Sequence, residues 1–257
     1  MIMNIILCVF IFVNLFYVLA LSKKNFSVID IGWGLGFIVI ALASYFQNPL
    51  GIKNAILLLV VTAWGLRLSY YLLRRNSKLP EDYRYTKMRE EWGATANLQA
   101  YFKVFLLQGA LMLIISLPIS IGMKSADQSL NFVNRLGFMI WLAGITLEAL
   151  SDAYLAWFKK QPENKGKLCM TGPWKFCRFP NYLGEITLWY GVYLIALNSS
   201  NWWTIIGPVT INFFILKVSG VPLTEARYKD RPEYLEYAKR VPRFFTIQGP
   251  KGTTISS

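Results

Sequence analysis

Histidine is absent from all 257 residues. That removes the commonest general base and the commonest zinc ligand, so no reading can start from an imidazole. Cysteine is scarce as well. The three present, Cys8, Cys169 and Cys177, are an odd number with no partner cluster, which argues against a metal site or a disulfide framework and leaves free thiols. No Gly-x-Gly-x-x-Gly follows a strand-like run, so a Rossmann dinucleotide site is not expected. Charge is thin too: only 16% of residues are charged, against roughly a quarter in a soluble domain. Acids are the scarcer sign, with 14 Asp+Glu against 27 Lys+Arg and a formal charge of +13. A basic balance can mean nucleic acid, but that needs a basic stripe on a soluble face. Here the cations stand between long apolar runs, which points to anionic lipid and membrane orientation instead.

What the chain does have is apolar length, with 54% hydrophobic residues. A spanning helix needs roughly 20 mostly apolar residues. Seven stretches qualify: 2–21, 28–46, 54–73, 101–122, 136–157, 182–197 and 202–216. The last two are short and separated by the polar turn Asn198–Asn201, as in a helical hairpin. The first has no basic region before it and no small-residue cleavage pattern, so it reads as a retained helix rather than a signal peptide. The fold class expected is therefore all-α, a polytopic membrane protein of about seven helices with a cytosolic tail over 218–257. Orientation follows from the cations. With the N-terminus outside, the outer loops hold only Lys53, Lys124 and Arg135, Arg67 lies within a span, and every other Lys and Arg falls in an inner loop or the tail. A bias that survives every alternation places the N-terminus outside and the C-terminus in the cytosol. A bacterial inner membrane and the endoplasmic reticulum both fit.

Ionisable groups within spans are costly, and each asks for a reason. Asp30, Arg67, Glu148, Asp152 and Glu185 all fall in the cytosolic halves of their spans. Glu148 and Asp152 are four apart and share a helix face. A polar cavity open to the cytosol accounts for the set; snorkelling to the interface is the alternative for Asp30 and Arg67. The fifth span is followed by a polar loop and then by the run from Thr171 to Glu185. Pro180 opens the next helix, whose free N–H groups suit an anion. Arg178 just before it adds a planar bidentate donor.

The run Arg178-Phe179-Pro180-Asn181-Tyr182-Leu183-Gly184-Glu185 resembles the Arg-His-Pro-Asn-Tyr-x-Gly-Glu motif of the steroid 5α-reductase C-terminal superfamily. Trp64-Gly65-Leu66-Arg67-Leu68, the loop Glu81-Asp82-Tyr83-Arg84-Tyr85 and the tail from Gly220 to Phe245 extend the likeness over nearly the whole chain. It is closest to the small seven-helix members of that superfamily. The resemblance implies an NADPH-dependent membrane reductase of an activated carbon–carbon double bond in a lipophilic, steroid-like or isoprenoid-like substrate. It also implies that Asp152, Lys159, Asn181, Tyr182 and Glu185 contact the dinucleotide, with Arg178, Glu225, Arg227 and Tyr228 as further contacts. The carbonyl of the substrate would be polarised near Asp30, Trp64 and Arg67, with Asp30 protonated by burial.

Three positions depart from the pattern. Phe179 replaces the motif histidine. Asp30 takes the place of a Gln-Glu pair, and Trp64 that of a tyrosine; an indole donates a hydrogen bond but does not readily lose a proton. Two other readings stay open: a methyltransferase using S-adenosylmethionine, and a non-catalytic lipid-binding membrane protein. The partners expected are membrane lipids and a lipophilic small molecule, with no nucleic acid and no metal.

Overall fold

The computed structural model describes residues 2–48, 51–76 and 79–244. Lys78, Phe245, Lys251 and the rest of the expected tail beyond residue 244 lie outside these. Among the described residues every regular element is a helix. The chain divides into two compact units, residues 1–137 with 192–210, and residues 138–191 with 211–257.

In the first unit α1 (Ile2–Lys23), α2 (Val28–Tyr45) and α3 (Ile52–Asn76) match three expected spans to within a turn. On α1, Ile5, Val9, Phe12 and Val13 turn inward at helical spacing while Leu7, Phe10, Leu15 and Val18 stay exposed. A helix apolar on both its buried and its exposed faces is one made for lipid. Helices α2 and α3 cross on glycine: a Cβ on Gly34 would lie 2.4 Å from the carbonyl oxygen of Gly65, and one on Gly65 would lie 2.6 Å from that of Gly34. The Gly-Trp-Gly-Leu-Gly run of α2 is thus a packing surface, as small-residue faces are in membrane helices.

The stretch expected as a loop before residue 101 is mostly helical. Helix α4 (Tyr83–Trp92) starts at Asp82, whose Oδ1 accepts from Arg84 N at 3.0 Å, a regular N-cap. Gly93 at φ +52° bends the chain into α5 (Ala96–Ala100). A π-helical turn over Tyr101–Leu106 leads into α6 (Leu107–Ile115), and α7 (Leu117–Gly122) follows after Ser116. The expected span 101–122 is broken there because Pro118 has no N–H to continue the ladder.

The second unit holds most of α8 (Phe132–Lys160) and α9 (Pro180–Ala196), the end of α10 (Ile206–Lys217), and α11 (Val221–Tyr228) and α12 (Pro232–Arg240). Six helical stretches are long and apolar enough to cross a membrane: 2–23, 28–45, 52–76, 83–115, 132–160 and 202–228. The expected span 182–197 exists as α9, but at 17 residues it reaches only about 25 Å, short of the ~30 Å hydrocarbon core.

Both ends of α9 are tied down, each in its own unit. At the C-terminal end, in the first unit, Asn134 Nδ2 donates to the carbonyls of Leu194, Ile195 and Leu197 at 3.0–3.1 Å. Asn201 Nδ2 donates to Ala196 O at 2.8 Å, so the orphan carbonyls of the last turn are satisfied by side chains.

Candidate functional site

The first unit carries a polar group around Asp30. Asp30 Oδ2 accepts from Arg84 Nη2 at 2.8 Å, and Oδ1 accepts from the Tyr85 hydroxyl at 2.7 Å. Gln108 Nε2 in turn donates to the Tyr85 oxygen at 3.4 Å. Arg84 also donates from Nε to Asp82 Oδ1 at 2.9 Å, so one guanidinium joins two carboxylates. Burial pushes the Asp82 carboxyl up, but the side-chain and backbone hydrogen bonds from Arg84 outweigh it and hold the group below its ordinary value. A second clasp stands beside the first. Glu81 accepts from Phe26 N and from Arg89 Nη2, and the Arg89 guanidinium lies 3.9 Å from the centre of the Phe26 ring. Together these bonds dock α4 against the start of α2.

Asp30 is expected among the donors to the substrate carbonyl, with Trp64 and Arg67, on condition that burial keeps it protonated; the structure pairs it with the Arg84 guanidinium and with the Tyr85 hydroxyl. Arg84, Tyr85 and Gln108 were missed as site residues. The signal for the first two was the loop 81–85, noted for its likeness but given no role; Gln108 had no local signal. Trp64 is buried, with its ring edge-on to Phe37 at 5.5 Å, and Arg67 follows one turn later on α3, half-buried.

In the second unit the 178–185 segment opens α9. Asn181 Nδ2 faces Asp152 Oδ1 on α8 at 3.5 Å, longer than an ordinary N–H···O bond. Tyr182 stacks on Phe179 with ring centres 5.9 Å apart, so the phenylalanine in place of the motif histidine has a packing partner within the motif. Glu185 is half-buried one turn beyond Asn181, and Lys159 is exposed at the end of α8. Gly184 serves the packing: a Cβ there would lie 2.6 Å from Glu148 N and 2.7 Å from the carbonyl of Gly144. The motif glycine is therefore what lets α8 and α9 approach.

Arg178 and Glu225, both expected at the cofactor, form an ion pair with one another. Arg178 Nη1 donates to Glu225 Oε1 at 3.1 Å and to the Tyr234 hydroxyl at 3.0 Å. Arg243 grips the same carboxylate with Nε and Nη2 at 2.9 and 2.8 Å, the bidentate geometry natural to arginine. Arg178 N donates to Pro242 O, Cys177 Sγ to Arg243 O at 3.1 Å, and the Tyr237 hydroxyl to Trp174 O at 2.6 Å. Burial raises the Tyr234 and Tyr237 hydroxyls and the Cys177 thiol above their ordinary values. Arg227 is exposed on α11, while Tyr228 packs on Tyr234 with ring centres 5.6 Å apart.

Two atoms of this unit bear on whether a polar ligand fits. Ser151 Oγ, one residue before Asp152, is buried without a hydrogen-bond partner, and so is Arg178 Nε. A buried polar atom left unpaired costs about 1–3 kcal/mol, and a hydrogen-bonding ligand relieves that cost. The residues present thus fit a polar cofactor. Among the described residues no group of three His, Cys, Asp or Glu is placed to hold a metal.

No curated protein and no solved structure matches the chain. Residues 16–241 match a family described as a protein of unknown function, DUF1295. That match takes in both polar groups, the helices that carry them and the tail through α12, short of Pro242 and Arg243, so the chain belongs to the DUF1295 family.

Proposed function

We propose that this protein is an NADPH-dependent membrane reductase acting on an activated carbon–carbon double bond in a lipophilic substrate. The observation that carries the reading is the 178–185 segment, with Asn181 facing Asp152 and an unpaired Ser151 hydroxyl beside it. The kinship of the family with steroid 5α-reductase-like membrane proteins supports it.

Asp152, Lys159, Arg178, Asn181, Tyr182 and Glu185 are the residues that would hold the dinucleotide, with Lys159 and Arg178 meeting its anionic part. Bound there, the reduced nicotinamide supplies a hydride. Glu225 acts on this site through Arg178, whose guanidinium it orients together with Tyr234. Carbonyl polarisation belongs to the group around Asp30. The one proton of the Tyr85 hydroxyl is given to Asp30, so Tyr85 becomes the donor when that hydroxyl turns to the substrate oxygen, and Arg84 then keeps the Asp30 carboxylate paired. Trp64 and Arg67 complete the polar lining assigned to the substrate.

The test is thermal unfolding of the detergent-solubilised chain with NADPH and, separately, with S-adenosylmethionine. A ligand that binds only the folded state raises the melting temperature by mass action. NADPH is expected to raise it, less so as salt screens the phosphates, and Asn181→Ala is expected to abolish the rise. Stabilisation by S-adenosylmethionine alone overturns the reductase in favour of a methyltransferase. Stabilisation by neither leaves the lipid-binding reading in front.

A further inference from the structure

The end of α8 and the loop that returns beside it form a rigid aromatic platform with unpaired lysines around it. The Tyr154 hydroxyl donates to Thr171 Oγ1 at 2.8 Å. The Tyr154 ring lies 6.3 Å from Trp174, nearly parallel, and 5.4 Å from Trp157. Phe158, Cys169 and Trp174 form a buried cluster against which Tyr154 and Leu155 pack. Gly172, at φ +58°, passes directly under the Tyr154 ring, where a Cβ would lie 2.5 Å from a ring carbon. The loop is therefore pressed onto the helix and held there.

Two large aromatics are nevertheless left outward on this rigid base. Trp157 and Phe176 are each 53% exposed, and Met170 is exposed beside them. Lys160, Lys165, Lys167 and Lys175 are all exposed, and among the described residues none of them pairs with a carboxylate. Glu163 is the one acid in the loop. Aromatic rings among unpaired cations, at the end of a helix long enough to span a bilayer, have the chemistry of the interface between headgroups and acyl chains. Each lysine near an anionic leaflet contributes about 1 kcal/mol of attraction, which is lost beyond a Debye length.

We infer that residues 157–176 form a docking surface for anionic phospholipid, with Trp157 and Phe176 seated at the acyl boundary and Lys160, Lys165, Lys167 and Lys175 on the headgroups. The inference does not depend on the reductase reading, since none of the six side chains it names is assigned to the dinucleotide.

The experiment is native mass spectrometry of the full-length solubilised chain, offered equimolar phosphatidylglycerol and phosphatidylcholine of identical acyl chains. The wild type should retain the anionic lipid preferentially. Changing Lys160, Lys165, Lys167 and Lys175 to Gln together should reduce that preference by about fivefold or more. Changing Lys217, Lys229, Lys239 and Arg240 to Gln removes the same charge elsewhere in the unit and should leave the preference within about twofold of wild type. Trp157→Ser with Phe176→Ser should weaken retention of both lipids at unchanged melting temperature. Equal losses from the two charge sets would overturn the inference, because the attraction would then belong to net charge and not to this surface. Displacement by inorganic phosphate beyond that by chloride of equal ionic strength would also overturn it, in favour of a free-phosphate site.

Discussion

Asp30 and Arg84 are unequal partners. If Asp30 becomes Asn, Arg84 still has Asp82 to bond, and the amide still accepts from Tyr85. If Arg84 becomes Met, the Asp30 carboxylate, with 18% of its side chain exposed, keeps only the Tyr85 hydroxyl. Removing one side of a buried pair costs most when it strands the other charge. Arg84→Met is therefore expected to destabilise the chain by about 2–3 kcal/mol and Asp30→Asn by less than about 1 kcal/mol, with the double variant close to Asp30→Asn alone. Unfolding in denaturant for the three variants checks the order, and equal losses would mean that the pair is not what holds α4 in place. The sequence singled out Asp30 because a carboxylate in an apolar run stands out. It did not reveal the partner, since Arg84 is 54 residues away and such distant pairing leaves no mark on local spacing.

Among elements, glycine decides which helices touch. Gly144, Gly184 and Gly191 line the contact between α8 and α9, and in each case the atoms a Cβ would meet are mostly backbone. Gly184→Ala is expected to cost about 1–3 kcal/mol, because two helix backbones must move apart. Gly36→Ala on α2 should cost clearly less, since the nearest atoms there belong to the flexible end of Met112. Melting temperatures of the two variants, read in the same detergent, settle the comparison; equal losses would show that α8 and α9 are free to adjust. The spans were legible in the sequence because lipid imposes length and apolarity on every one of them, and α1, α2 and α3 came out within a turn. Helix α4 was not legible as a helix. Its polar residues read as a loop, although the cap at Asp82 and the spacing of Lys87 and Glu91, four apart and 3.8 Å from N to O, carried the signal. The motif in α9 was legible for its polar residues, while the packing role of Gly184 needed the neighbouring helix.

Over the whole molecule, α9 decides the parity of the topology. Six stretches are long and apolar enough to cross, and an even count would put both ends of the chain on the same side. The cations of the tail, with Arg227, Lys229, Arg231, Lys239, Arg240 and Arg243 among them, would then share a side with Lys53 and Lys124, against the positive-inside rule. A crossing by α9 restores the bias at the cost of a mismatch of roughly 5 Å, which a bilayer absorbs by thinning. Reporters placed after Lys24, in the 159–180 loop and after Arg243 are expected to read cytosolic, and reporters at Asn48, Asp127 and Ser199 on the opposite side. A cytosolic signal at Ser199 with an external one after Arg243 would mean that α9 does not cross. The tail clasp adds a constraint of a different kind, one of time. Arg178 precedes its carboxylate Glu225 by 47 residues, and Cys177 precedes its acceptor at Arg243 by 66. At a synthesis rate of about 5–20 residues per second, the thiol waits roughly 3–13 s for its cover. The segment that begins α9 is thus among the last parts of the protein to be finished, long after the helices on either side of it have been made.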